Sequence, residues 1–306
     1  MKYKKSLIIF ALIIFIFGIA SVCASDANTV VASVDGQASG FMIINEIGSN
    51  NVASDDSQIL GLSNSNEILK EPTTVTNHTF DAIESAINEG YDTIYLEPGI
   101  YTGNDLVGII EKENINIIGN STILDAQGQT GILLISDSRD VIIRDITFVN
   151  GNYESGGAIL ASYCANVQII DCTFINNTAS RAGGAISSAF ANVQVINSSF
   201  TNNNADSYGG AIYWASWDMK IEGSIFTNNT AEGNSIICGQ LGSGQITTSI
   251  FTNNHADVVI DTDNHLKVNN NIFLNNNGTS INFDMDDCNG DYNWFGHNQS
   301  NYKDNP

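Results

Sequence analysis

Six ten-residue lines of this chain carry one pattern of hydrophobic and polar positions. They read VIIRDITFVN from Val141, VQIIDCTFIN from Val167, VQVINSSFTN from Val193, MKIEGSIFTN from Met219, GQITTSIFTN from Gly244 and LKVNNNIFLN from Leu266. The first position is Val, Val, Val, Met, Gly, Leu and the third is Ile, Ile, Val, Ile, Ile, Val. Between them stand Ile, Gln, Gln, Lys, Gln, Lys. Such alternation marks a strand with one buried face, because successive side chains point to opposite sides. The fifth position (Asp145, Asp171, Asn197, Gly223, Thr248, Asn270) is occupied by turn formers. The eighth is always Phe and the tenth always Asn, so a second strand follows with Phe inward. Gly156-Gly157-Ala158-Ile159, Gly183-Gly184-Ala185-Ile186 and Gly209-Gly210-Ala211-Ile212 then open a third segment. Glycine there permits positive φ or close backbone approach.

Three short strands per repeat, turned by Asn, Asp and Gly, describe one coil of a stacked solenoid. The predicted fold class is all-β: a right-handed, single-stranded parallel β-helix. Phe148, Phe174, Phe200, Phe226, Phe251 and Phe273 are separated by 26, 26, 26, 25 and 22 residues. Coils stack about 4.8 Å apart, so each Phe meets a Phe above and below. Each contributes on the order of 1.5–3 kcal/mol by burial, and ring stacking adds about 0.5–1.5 per pair. The constant Asn150, Asn176, Asn202, Asn228, Asn253 and Asn275 are expected to form an amide ladder at the strand end.

The flanks read differently. Residues 1–24 combine Lys2, Lys4 and Lys5, an apolar run from Leu7 to Ala20, and small residues around Cys23 and Ala24. This is the pattern of a cleaved secretory signal peptide; uncleaved, it would be the chain's route to a membrane. Residues 25–71, rich in Ser, Asn, Asp and Gly, are expected to form a flexible polar spacer. The solenoid is expected over 72–306. In TFDAIESAINEG, Phe80, Ile83 and Ile87 share a helical face, Thr79 can cap the start and Gly90 the end. A short helix over Phe80 to Glu89 is therefore expected to cover the N-terminal coil. Tyr292, Trp294 and Phe295 are candidates to close the other end.

The pairing of Gly-Gly-Ala-Ile with Phe-x-x-Asn resembles the repeats of the polymorphic outer-membrane proteins, and of archaeal adhesin-like proteins that carry them. Phe174 with Asn177, Phe200 with Asn203, Phe226 with Asn229, Phe251 with Asn254 and Phe273 with Asn276 fit Phe-x-x-Asn; Phe148 departs, with Gly151 at that place. The stretch AIESAINEGYDTIYLEPGIY is similar to the entry segment of pectin-lyase-like β-helices. The resemblance implies secretion, cell-surface display and adhesion.

Charge narrows the partners. The whole chain has a formal charge of −22; without the leader, eight cationic residues face 33 acidic ones. Nucleic acid is excluded as a partner, because phosphate binding needs clustered Lys and Arg. An extracellular glycan or a surface protein is expected instead, with the chain itself a monomer. Tyr213, Trp214 and Trp217 cluster in GGAIYWASW, and Tyr163 and Phe190 occupy the equivalent region of neighbouring coils. Tyr163, Tyr213, Trp214 and Trp217 are the candidate binding side chains, with Trp214 open between contact surface and core.

Catalytic chemistry is poorly served. No carboxylate pair or His-x-x-x-His spacing stands out, and Asp145 and Asp171 read as turn residues. The alternative reading is a carbohydrate-active enzyme, a lyase or hydrolase, on the same fold. No cofactor is expected except calcium, for which Asp284, Asp286 and Asp287 are the candidates, although they lack the spacing of a helix-loop-helix site. Cys164, Cys172, Cys238 and Cys288 are expected as buried free thiols. Among Asn-x-Ser/Thr sites, Asn77, Asn197 and Asn298 are the expected glycan acceptors, since the ladder would engage Asn176 and Asn228.

Overall fold

A computed structural model of the chain describes residues 70–296 and 302–303, apart from 233, 263–264 and 284–289. The leader and nearly all of the spacer lie outside the described residues.

The repeating lines become strands that pair, in parallel, with their copies one coil away. Val167 aligns with Val141 and Val193, and Phe200 with Phe174 and Phe226. The result is a parallel β-solenoid of about seven turns. Three faces recur. The first runs from Thr73–Val75 to Leu266–Asn269, and the second from Gly99–Thr102 to Trp294–Phe295. The third includes Val107–Ile110, Leu133–Ser136, Ile159–Ser162 and Ile186–Ala189. Some strands bend round a corner, as Arg139–Val149 does from first face to second and Ile212–Glu222 from third to first. A short fourth segment precedes the glycines, at Asn152–Ser155, Thr178–Ala182, Asn204–Ala205 and Thr230–Ala231.

The six phenylalanines form one inward column, with ring centroids 4.7 to 5.0 Å apart and planes within 9°. The column is longer than the repeat. Tyr101 and Leu124 precede Phe148 in register, and Phe295 stacks on Phe273 at 5.2 Å. The helix α1 (Phe80–Asn88) lies over the first coils and buries Phe80, Ile83 and Ile87. The Thr79 side-chain oxygen accepts the Ala82 N–H at 3.2 Å, which satisfies one of the donors left free at a helix start.

The asparagine ladder sits one residue further along than the sequence reading places it. Asn150, Asn176, Asn202, Asn228, Asn253 and Asn275 all have φ between +51° and +56°, and Asn176 through Asn275 are exposed. They turn the chain, and the turn reverses the parity of the strand, so the next residue points inward. Asn177, Asn203, Asn229, Asn254 and Asn276 are the buried rungs. Each Asn Nδ2 from Asn177 to Asn254 donates to the Oδ1 of the next rung at 2.9 to 3.0 Å, and also to a Phe carbonyl one coil back. Each Oδ1 also accepts the backbone N–H of the preceding rung. Both amide hydrogens and the carbonyl are thus used, as burial demands. Gly151, where the motif lapses, donates its N–H to Asn177 Oδ1 and so ends the ladder.

Both glycines of the pair are sterically required. Gly183 turns with φ +68°, in the left-handed region, and a Cβ there would also lie 2.1 Å from the Ile186 carbonyl oxygen. Gly184 has no room: a Cβ there would lie 2.1 Å from the Gly210 carbonyl oxygen of the next coil.

Candidate binding surface

One corner breaks the rule that governs the other turns. Between the third and first faces the chain again takes left-handed backbone, at Asp137, Tyr163, Phe190, Trp217 and Leu241, with φ from +51° to +72°. Elsewhere such positions hold mostly Asn, Asp or Gly, which tolerate that conformation; a bulky side chain there costs roughly 1–2 kcal/mol. The fold carries this strain at four coils in succession. Tyr163 and Phe190 stack at 5.2 Å with planes 5° apart. Trp217 is 46% exposed and Leu241 70% exposed. The strand alternation cannot place these side chains, because they lie on the turn itself. Burial, with a smaller contribution from Asp137, raises the Tyr163 phenol above its ordinary pKa, so it remains a hydrogen-bond donor.

Next to this ridge the outer side of the first face forms an open groove of about 460 Å³. Gln194, Lys220, Gln245 and Lys267 reach it from strand positions, and Asp218 and His265 from the corner. Lys220 pairs with Glu222 at 2.6 Å, and Ser243 donates to Asp218. The groove thus combines amide and ammonium donors with a carboxylate acceptor beside an aromatic edge.

Trp214 belongs to the core, 1% exposed, and is removed from the candidate binding side chains. Its register partner in the next coil is Gly239, where a Cβ would stand 2.2 Å from the indole Cζ2. The missing side chain makes the space that the indole fills, leaving Trp214 Nε1 buried without a hydrogen-bond partner in the structure. Gly239 and Gly244 in CGQLGSG were the available signal for that burial. Tyr213 is half-buried on the outer side of the third face, and its hydroxyl donates to Gln240 at 2.9 Å, just before Leu241. Tyr163 and Trp217 stand on the ridge, joined by Phe190 and Leu241, of which Leu241 was not anticipated.

The remaining candidates separate by place. Asp284, Asp286, Asp287 and Asn298 lie outside the described residues. Among the described residues no group of three His, Cys, Asp or Glu side chains is placed to hold a metal ion. Asp145 and Asp171 are exposed left-handed turn residues, and Arg144 bonds Asp145 at 2.9 Å. Asn77 and Asn197 are exposed, but so are Asn176 and Asn228, because the ladder does not engage them. The reason for ranking those two below the others therefore falls away. Cys164, Cys172 and Cys238 are buried free thiols.

Comparison with known proteins gives a repeat and a fold. The Chlamydia polymorphic membrane protein repeat matches residues 171–189 and 197–213, the two stretches in which Phe-x-x-Asn leads to Gly-Gly-Ala-Ile. No curated protein sequence matches the chain. Among solved structures, PfbA, a surface adhesin of Streptococcus pneumoniae, is similar at 12% identity over 66% of this chain and 86% of its own, with a TM-score of 0.33. The PL6 family alginate lyase AlyGC is similar at 11% identity over 70% of this chain and 38% of its own, with a TM-score of 0.38. The chain carries the Chlamydia polymorphic membrane protein repeat as successive coils of a parallel β-solenoid.

Proposed function

We propose that this is a secreted or surface-held attachment protein that grips an uncharged extracellular glycan along the Tyr163–Leu241 corner and the adjoining groove. The carrying observation is the strain: four large side chains occupy left-handed backbone where Asn would sit without penalty. Strain kept in a fold points to a use for the geometry that holds it. Tyr163 and Phe190 stack on each other at 5.2 Å, so their outer edges, continued by the exposed indole of Trp217, present an apolar ledge to sugar rings. Gln194 and Gln245 beside them can bond hydroxyls, the mix of apolar wall and few polar groups that ligand sites use. The acidic surface favours neutral sugars over uronates. The polymorphic membrane protein repeat supports a surface role.

A second reading is a carbohydrate-active enzyme, favoured by Asp218, Lys220, His265 and Lys267 lining one groove. A glycosidase would need two converging carboxylates; among the described residues the groove's lining includes one, Asp218. A glycan array scored for both retention and cleavage separates the two. Attachment predicts retained, intact glycans and loss of retention in Trp217→Ala. Cleaved glycans, or unchanged retention by a folded Trp217→Ala protein, would refute it.

A further inference from the structure

The corner that carries the ridge begins with an acid. Asp137 takes, at φ +51°, the left-handed position that Tyr163, Phe190, Trp217 and Leu241 take in the following coils. It is exposed. Ser136 Oγ donates to Asp137 Oδ2 at 2.7 Å, which orients the carboxylate and leaves Oδ1 without a partner among the described residues. The Asp137 N–H donates to Ser162 O at 3.1 Å, so the acid is pinned to the next coil one residue before Tyr163. Its charge reaches that ring, adding to the rise of the Tyr163 phenol. Arg139, two residues on, is already bound to Glu113 at 2.7 Å. The strand beside the ridge changes at the same coil. Gln168, Gln194, Lys220, Gln245 and Lys267 follow one another in register, and Ile142 stands in their place in the coil of Asp137. There the hydrogen-bonding group sits on the ridge and not on the strand.

We propose that Asp137 sets the class of sugar taken at this end of the ridge: a neutral pyranose with two adjacent free hydroxyls, and not one bearing a carboxylate or sulfate. The proposal rests on the attachment reading above. An ionised carboxylate only accepts hydrogen bonds, so its ligand must donate. Adjacent hydroxyls supply two donors, one to each carboxylate oxygen, while the apolar side of the sugar ring meets Tyr163. An anionic substituent instead sets acceptor against acceptor and like charge against like, a rejection built into the site. This effect is local and separate from the −22 of the whole chain, because Asp137→Asn changes the total by a single charge. Asn also suits left-handed backbone and can accept the Ser136 O–H.

Retention of matched oligosaccharides by the full chain tests this: a neutral linear one, and the same backbone carrying a carboxylate or sulfate. The expected result is at least about tenfold stronger retention of the neutral member by the native protein, a ratio that Asp137→Asn cuts at least about threefold by admitting the anionic one. Asp137→Ala should weaken the neutral member about tenfold, as loss of hydrogen bonds to a charged group does. Circular dichroism should be unchanged in both variants. An unaltered neutral-to-anionic ratio in Asp137→Asn overturns the proposal, since net charge and not this carboxylate then makes the choice. So does stronger retention of the corresponding amino sugar by the native protein, which would make Asp137 a cation site. The attachment reading fails separately: it falls if folded Trp217→Ala retains glycan as before. Loss of retention in Trp217→Ala, with the ratio unaltered in Asp137→Asn, refutes the sugar assignment alone.

Discussion

Asn203 offers the sharpest test of how the coils are held. It is fully buried. Its Oδ1 accepts from the Asn177 N–H and Nδ2, each at 3.0 Å, and its Nδ2 donates to Phe174 O at 3.1 Å and Asn229 Oδ1 at 3.0 Å. Asn203→Ala removes four hydrogen bonds and leaves two buried Asn177 donors without their acceptor. Asn229 Oδ1 keeps the bond from the Asn203 backbone N–H. At about 1–3 kcal/mol for each stranded group, the loss is on the order of 2–6 kcal/mol. The neighbouring Asn202 is the control: it is exposed at φ +55° and its side chain is outside the ladder. Asn202→Ala forfeits only left-handed tolerance, roughly 1–2 kcal/mol, and Asn202→Gly should be nearly neutral. Urea unfolding followed by far-ultraviolet circular dichroism reads the difference; with a slope of about 2–3 kcal/mol/M, Asn203→Ala lowers the midpoint by roughly 1–2 M. Asn203→Asp should be worse than Ala at neutral pH, because a carboxylate oxygen then faces Phe174 O and Asn229 Oδ1. The reasoning fails if Asn202→Ala costs as much as Asn203→Ala, or if Asn203→Ala shifts stability by less than about 0.5 kcal/mol.

Three further outcomes follow from the same geometry. Gly183→Ala, which meets both the φ of +68° and a Cβ 2.1 Å from the Ile186 carbonyl oxygen, should destabilise at least as much as Gly184→Ala, which meets only the clash with the Gly210 carbonyl oxygen at 2.1 Å; a thermal melt in which Gly184→Ala is clearly the less stable would refute this. Trp217→Asn should keep or raise the melting temperature while abolishing glycan retention, since Asn tolerates the φ of +72° that Trp bears under strain; a marked drop in melting temperature would show that the indole supports the fold. Burial pushes the Cys172 thiol up to about 12 from an ordinary 9.0. The unfolded chain therefore loses this proton first: the stabilisation is complete below pH 9 and is lost as pH rises toward 12, at up to about 1.4 kcal/mol per pH unit. Alkylation at pH 9 should accordingly leave Cys172 unlabelled in the native protein and label it in urea; rapid native labelling would contradict the burial.

Much of this molecule was legible from its repeat. Phe148 to Phe273 sit in one column because coils in register place like residues at like positions, and a spacing near 26 says so directly. The capping helix was read to within one residue, since Thr79, the apolar spacing and Gly90 act locally. The misses share one cause. Strand parity restarts at each left-handed corner, and the φ of the corner residue decides which neighbour turns inward. That choice put Asn177 rather than Asn176 in the ladder, and Trp214 in the core with Trp217 outside. Period, composition and turn chemistry by themselves determined a stacked all-β coil with a phenyl column and an acidic exterior. Only the tertiary structure decided which side chains share a surface, because the ridge and the groove each join residues from successive coils, brought within about 5 Å by stacking rather than by sequence.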